Sequence, residues 1–352
     1  MMRDFRQGAR AEDLALGAWR EALLCGPGKR FKVAGEAHSG RGGSSRMTDT
    51  GATGAWGFTD DRGAAPAAVR TPGRVVAYVR AGAGLLDLGV TPVAVYGSAH
   101  DGAALDPVKA GELAAAGVPY LGAGRALDEE ALRSLRPDLI VDVTYDRKSP
   151  YALDEAVADR LGVPLAALSV GNELSLAAII ARFGELGAAL GAPAVSRPAG
   201  AAPGPGPGAA PSPNPGPGPA PGADPMASAE DVLRAAAARS DRTVLALSGA
   251  GPDQVHLARP HAWPELARLQ ELGVRLLDPG PGPGASWLTA DWEHAATLNP
   301  GLVLHDSRAH AVGPDAFPPV GHARVAPWNP ETPPSPAAYA RFFEDVAAAL
   351  QA

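Results

Sequence analysis

The chain has 352 residues, a formal net charge of -7 and a pI near 5.6, with 43 Gly, 36 Pro and one Cys. That length exceeds one comfortable core and points to two domains with irregular ends. The acidic balance argues against nucleic acid as the main partner, since phosphate contacts need a basic face; the lone Cys25 excludes a disulfide within the chain.

Residues 1–54 are rich in Gly, Arg and Ser and are expected to form a disordered tail, with at most one short amphipathic helix at Asp13–Leu24. No export signal is legible there, and the bulky Leu24 before Cys25 spoils a lipid-attachment motif, which leaves localisation open. No run of about 18 apolar residues offers a membrane-spanning helix. From residue 55 to 195 short apolar runs alternate with helical patterns, as in Val75–Val79 and Leu139–Val143, and this stretch reads as an N-terminal α/β lobe. Leu174–Leu190 carries Leu176, Ile179, Ile180, Phe183, Leu186 and Leu190 on one stripe, the spacing of an amphipathic helix. Residues 196–226 are almost wholly Pro, Gly, Ala, Ser, Asn and Asp and build no core, so a disordered, extended insert is expected. A connecting helix is expected over 227–240, with Ser228 as its cap. A C-terminal α/β lobe follows at 241–352, with strands at Val244–Leu247 and Leu302–Leu304.

Two stretches say nearly the same thing. Asp128-Glu-Glu-Ala-Leu-Arg-Ser-Leu-Arg-Pro-Asp-Leu-Ile-Val-Asp-Val-Thr-Tyr145 matches Asp291-Trp-Glu-His-Ala-Ala-Thr-Leu-Asn-Pro-Gly-Leu-Val-Leu-His-Asp-Ser-Arg308. Earlier landmarks repeat in the same order: Arg74–Gly82 with Thr243–Gly251, then Leu88–Val95 with Leu272–Asp278. Each half therefore reads strand, helix ending in Leu-Gly, strand, then helix, Pro, strand. The non-alternating apolar strands imply burial on both faces, hence mainly parallel sheets flanked by helices. The fold class expected is α/β, with two similar lobes joined by a helical connector and a ligand cleft between them.

These residues resemble the helical-backbone class of substrate-binding proteins of ABC importers, the iron–siderophore and cobalamin type. The likeness lies in Trp56–Gly63 followed by Thr71–Ala77, in Leu85–Gly97, in the Leu-x-x-Leu-x-Pro-Asp-Leu-Ile step within Leu127–Val143, in Ser175–Gly191 and in the closing Pro336–Leu350. It covers about residues 56–352 apart from the insert. The resemblance implies a non-catalytic protein that closes two lobes on a ferric siderophore, holds the iron through the siderophore alone, and presents it to an ABC permease. It implies an extracytoplasmic, membrane-associated monomer with no cofactor or metal of its own. Acidic residues on each lobe would meet the permease, with Glu112 and Glu265 as candidates by rough placement.

In open parallel sheets ligands sit beyond the carboxyl ends of the strands. The residues expected there are Tyr78 and Arg80, His100, Arg125, then Tyr145, Arg147 and Lys148, and in the second lobe Trp287 and Arg308. A basic cleft with aromatic walls would suit an anionic, partly apolar chelate, with Arg forking onto two oxygens. Against this stand a haem or cobalamin ligand, for which Tyr145 or His100 is an axial candidate, and a tetrapyrrole metal chelatase working through His100-Asp101.

Overall fold

The computed structural model describes residues 55–192 and 224–352, apart from residue 317. The expected tail at 1–54, with its helix at Asp13–Leu24, and all but the last residues of the expected 196–226 insert lie outside the described residues.

The first lobe opens with a two-stranded hairpin, β1 (Trp56–Gly57) and β2 (Ala67–Ala68). There follow β3 (Val75–Tyr78), α1 (Val79–Asp87), β4 (Ala94–Gly97), α2 (Pro107–Ala110), β5 (Tyr120–Ala123), α3 (Glu129–Ser134), β6 (Leu139–Thr144), α4 (Glu155–Leu161) and β7 (Leu165–Ser169). Its sheet has the order β5-β4-β3-β6-β7, with every pairing parallel. The loop of the opening hairpin covers the β7 edge: Asp60 and Asp61 accept the backbone N–H groups of Ala167 (3.0 Å) and Ser169 (2.8 Å). An edge strand whose donors are taken in this way is no longer a template for pairing with another chain.

The second lobe contains β8 (Thr243–Gly249), β9 (Val255–Ala258), α7 (Pro264–Glu271), β10 (Arg275–Leu276), β11 (Trp287–Ala290), α8 (Trp292–Thr297), β12 (Leu302–Asp306), β13 (Arg324–Trp328) and α9 (Pro336–Gln351). Helices α5 (Leu176–Ala189) and α6 (Pro225–Arg239) precede it. The sheet runs β11-β9-β8-β12-β13, with β10 also beside β8. The sheet is mainly parallel, as expected, through β10–β8, β8–β12 and β12–β13, but β9 pairs antiparallel with both β8 and β11 and makes it mixed. Parallel β10 takes the place that β4 holds in the first lobe for only two residues, and the β8–β9 hairpin fills the rest of that side.

The internal repeat is visible in the backbone. Asp128 caps α3, accepting from the N–H of Glu130 (2.9 Å) and Ala131 (3.2 Å), and Asp291 caps α8, accepting from the N–H of His294 (2.7 Å). Both helices stop at a leucine, and the next residue is left-handed in each, Arg136 and Asn299 with φ 47°. The Pro then enforces an extended start to the strand. The earlier Leu-Gly landmark behaves alike: Gly89 (φ 91°) and Gly273 (φ 94°) end their helices in a conformation that a Cβ would strain.

Helix α5 joins the two cores. Ser175 caps it, its hydroxyl accepting from the N–H of Ala178 (3.2 Å), and the apolar stripe divides between the lobes. Ile179, Phe183 and Leu186 pack into the first lobe's core, whereas Leu176 and Ile180 join a cluster built from α6, α7, β8, β12 and α9. Phe183 and Leu186 are fully buried, each worth about 1.5–3 kcal/mol relative to exposure. Helix α6 begins at Pro225 under an Asp224 cap, one turn earlier than Ser228, and packs on α9.

The connection from β13 to α9, residues 329–335, returns from the second sheet to the first lobe. Asn329 Nδ2 donates to the Val108 carbonyl (3.0 Å), and the Ser335 hydroxyl donates to the Asp87 carboxylate. The start of α9 is thereby moored to α1.

Candidate functional site

Each sheet reverses its winding between its central strands, β3 and β6 in the first lobe, β8 and β12 in the second. Chains diverging from such a point leave a crevice at the strands' carboxyl ends. The first crevice displays Tyr78, which ends β3, and Tyr145, just after β6. The second displays Ser248, Asp306 and Arg308, with the Ser248 hydroxyl donating to Asp306 Oδ2 (2.8 Å).

Glu331, on the returning segment, ties the two crevices together. Its carboxylate accepts from Arg308 Nη1 (2.8 Å), lies 3.0 Å from Lys109 Nζ and accepts the Tyr78 hydroxyl. Lys109 also meets both oxygens of Asp101 at 2.8 Å and lies over the Tyr78 ring. Arg308 forks onto Asp306, Nε to Oδ1 at 2.9 Å and Nη2 to Oδ2 at 2.7 Å. Among the further bonds between the lobes is that from the Ala309 N–H to Asp106 Oδ2 (2.8 Å).

Burial alone would raise the Glu331 pKa; Lys109, Arg308, the Tyr78 hydroxyl and Arg80 overcome it and hold the group at about 2. Because that lies below the ordinary 4.5, the unfolded chain binds more protons than the folded one across this interval. The stability that Glu331 supplies is therefore complete above pH 4.5 and lost as pH falls towards 2. Asp142 has the opposite sign: burial lifts it from 3.8 to about 6, so its charge costs stability as pH rises through that window. A melting series between pH 5 and 3 should show Tm falling with acid, with a shallower fall in Glu331→Gln. Parallel curves would remove Glu331 as the acid-sensitive group.

Arg80, expected at a strand end, sits instead in the first turn of α1 and is 3% exposed. Its Nη1 donates to the Tyr145 hydroxyl (3.1 Å) and its Nε to the Thr332 carbonyl (3.2 Å). Burial opposes its charge, but the facing phenols and carboxyls of Tyr145, Tyr339, Glu265 and Glu331 more than offset that and keep it cationic. Tyr145 is 39% exposed as a residue, yet its hydroxyl lies against buried Arg80, and burial pushes the phenol up to about 12. Tyr145, Tyr151 and Tyr78 form an edge-on row with ring centroids 4.9 and 5.6 Å apart.

The second lobe adds Trp263, Trp287 and Trp328, with ring centroids 4.8–5.8 Å apart. Trp287 is thus part of an aromatic cluster rather than a lone rim residue. Beside it, Glu265 Oε1 and Trp328 Nε1 are buried and complete no hydrogen bond. Glu265, expected on the outer surface facing a permease, is 2% exposed; the α7 turn that carries it faces inward, and burial raises its pKa. Glu112 is exposed.

Of the nine expected residues, Tyr78, Arg80, Tyr145 and Arg308 come together. His100 stands at the mouth on the first lobe, its ring 6.4 Å from that of His310 on the second. Arg147 is drawn to the outer edge, where its Nε donates to the Asp61 carbonyl (3.1 Å). Lys148 is exposed, its N–H bonded to Asp146 (2.9 Å). Arg125 falls in the 310 turn at Gly124–Ala126, and its side chain lies outside the described ones. Lys109, Tyr151, Asp306 and Glu331 were not expected from the sequence. Arg308, expected as a basic group facing the ligand, is already paired with carboxylates, as is Lys109.

The fold is that of two-lobed periplasmic binding proteins, as the sequence resemblance implied. The chain is similar to DesE, a ferric-siderophore receptor protein from Streptomyces coelicolor, at 24% identity and a TM-score of 0.68, over 84% of this chain and 98% of that one. It is also similar to a periplasmic heme-binding protein from Pseudomonas aeruginosa (19% identity, TM-score 0.54, 80% and 93% covered). A third similar structure is the Fe3+-Desferal-bound siderophore-binding protein FhuD from Vibrio cholerae (17% identity, TM-score 0.53, 79% and 98% covered). No protein-family model matches the chain, and no curated protein matches it by sequence.

Proposed function

We propose that this protein binds a ferric siderophore between its lobes, without catalysis, and delivers it to an ABC permease for iron uptake. The observation that carries the reading is the Arg80–Tyr145 pair at the first crevice, a buried guanidinium coupled to a partly exposed phenol at 3.1 Å. The guanidinium orients the Tyr145 hydroxyl, which accepts from Arg80 and keeps its own O–H for a chelate oxygen, and the tyrosine and tryptophan rings give flat apolar walls for the ligand backbone. Similarity in fold to two siderophore-binding proteins supports the same substrate class. The iron stays in its chelate. Glu112, exposed on the first lobe, remains a candidate for permease docking, and the working form is a monomer outside the cytoplasm.

Haem or cobalamin is a weaker reading. Its axial candidate Tyr145 already accepts a bond from Arg80 (3.1 Å) and packs edge-on against Tyr151. The chelatase reading needs a free carboxylate beside His100, but Asp101 is committed to Lys109 and to the N–H and hydroxyl of Ser98.

Tryptophan quenching with ferric hydroxamate, ferric catecholate, haem and cobalamin tests the proposal. At least one ferric siderophore should bind, and Tyr145→Ala should weaken it by roughly tenfold, about 1.4 kcal/mol, with a fall of a few degrees in melting temperature from the Arg80 donor it strands, the protein remaining folded. Silence with all four ligands would end the proposal, and an unchanged affinity in Tyr145→Ala would move the site elsewhere.

A further inference from the structure

We infer that the cleft accepts a ferric complex carrying no net negative charge, a neutral or cationic chelate, and that Glu331 and Asp306 enforce this selection. The inference rests on the siderophore reading above and narrows it to one class of substrate.

Among the described side chains, the inner cleft holds three cations, Arg80, Lys109 and Arg308. Two are already neutralised: Lys109 by Asp101 and Glu331 at 2.8 and 3.0 Å, and Arg308 by Asp306 and Glu331 at 2.7 and 2.8 Å. The Asp306 and Glu331 side chains are 0% and 4% exposed, so water screens their charge little. Asp106 and Glu265 are further buried carboxyl groups close by. Only Arg80 has no carboxylate at ion-pair distance, and it is engaged by Tyr145 and the Thr332 carbonyl.

Glu331 therefore stands where an anionic ligand group would have to stand. It lies between Lys109 and Tyr78 of the first lobe and Arg308 of the second, and takes a bond from each. A polyanionic chelate entering here would find the charges of Lys109 and Arg308 already spent on buried carboxylates, and so would gain little attraction to offset the hydration it loses. A neutral chelate meets the aromatic faces of Tyr145, Tyr151, Trp263 and Trp287, which ask for no counter-charge. Discrimination of this kind comes from counter-charge withheld from the wrong ligand as much as from contacts offered to the right one.

Three ferric probes of known charge decide the matter, titrated by tryptophan quenching into the full chain: a neutral cyclic trihydroxamate, a linear trihydroxamate with a pendant ammonium, and a trianionic tris-catecholate. Both hydroxamates should bind within about tenfold of each other, and the catecholate roughly a hundredfold more weakly. Glu331→Gln should narrow that gap by about tenfold. Asp306→Asn, which leaves the Glu331 bonds to Tyr78 and Lys109 in place, should narrow it similarly and serves if Glu331→Gln does not fold. A catecholate bound as tightly as the hydroxamates overturns this inference and leaves the siderophore reading standing. A gap that neither variant narrows overturns the assignment to these carboxylates. Failure of all three probes to bind removes the siderophore reading and this inference with it.

Discussion

Glu331→Ala should destabilise the protein by about 3–5 kcal/mol, more than any other single change in the cleft. The carboxylate is fully enclosed and answers three donors at once, Tyr78, Lys109 and Arg308. Removing it strands a buried ammonium that then has only Asp101, and a buried phenol that has nothing. The cost comes chiefly from those orphaned groups rather than from the lost attraction, because both charges had already given up their hydration. A coupled pair must show this in a double-mutant cycle: Lys109→Met combined with Glu331→Gln should cost clearly less than the two changes summed. Equilibrium urea denaturation measures both quantities. A single-mutant loss under about 1 kcal/mol would mean that the network is incidental to folding.

The second large effect is steric. A Cβ on Gly124 would lie 2.2 Å from the Ala152 carbonyl oxygen and 2.9 Å from that of Gly97, and both obstacles are backbone. Gly124→Ala must therefore separate the turn after β5 from the loop after β6, the loop that positions Tyr145 and Tyr151. A loss of about 3 kcal/mol is expected, at the upper end for one added methyl group. Gly184 is the control. It lies inside α5, and nothing stands within 4 Å of a Cβ built there. Gly184→Ala should stabilise the protein by about 0.5–1 kcal/mol, since only helix propensity changes. Melting temperatures that move equally in both variants would contradict the close approach at Gly124.

The architecture was legible because its signals are local and repeated. Asp before a helix, Leu-x-Pro after it and an apolar strand beyond are three independent constraints. Both copies fold through the same capped helix and the same left-handed residue, Arg136 or Asn299. The β8–β9 hairpin was missed because Gly249–Gln254 reads equally well as the loop that leaves a parallel strand. In the cleft, Tyr78, Tyr145 and Arg308 were legible because they end strands, and strand ends face the crevice. Glu331 was not, since it lies in Asn329-Pro-Glu-Thr-Pro-Pro334, which reads as solvated turn. Lys109, in an Ala-rich stretch, reads as a surface lysine. The available signal was the rigid proline segment directly after the last strand, which fixes where a single acid points. Glu265 misled for a related reason, because its position near a helix start says nothing about which side of the lobe that helix faces.

The returning segment at 329–335 also settles how the chain can be divided. It leaves the second sheet, lays its only carboxylate among first-lobe residues, and fastens the last helix to α1 through Ser335 and Asp87. Ordering by sequence and ordering by space therefore disagree, for the first lobe is completed by residues that follow the whole second sheet. A ribosome-bound nascent chain that stops before residue 329 would carry that lobe with Lys109 and Tyr78 lacking their Glu331 partner. Its final consolidation must wait until residues 329–335 have emerged.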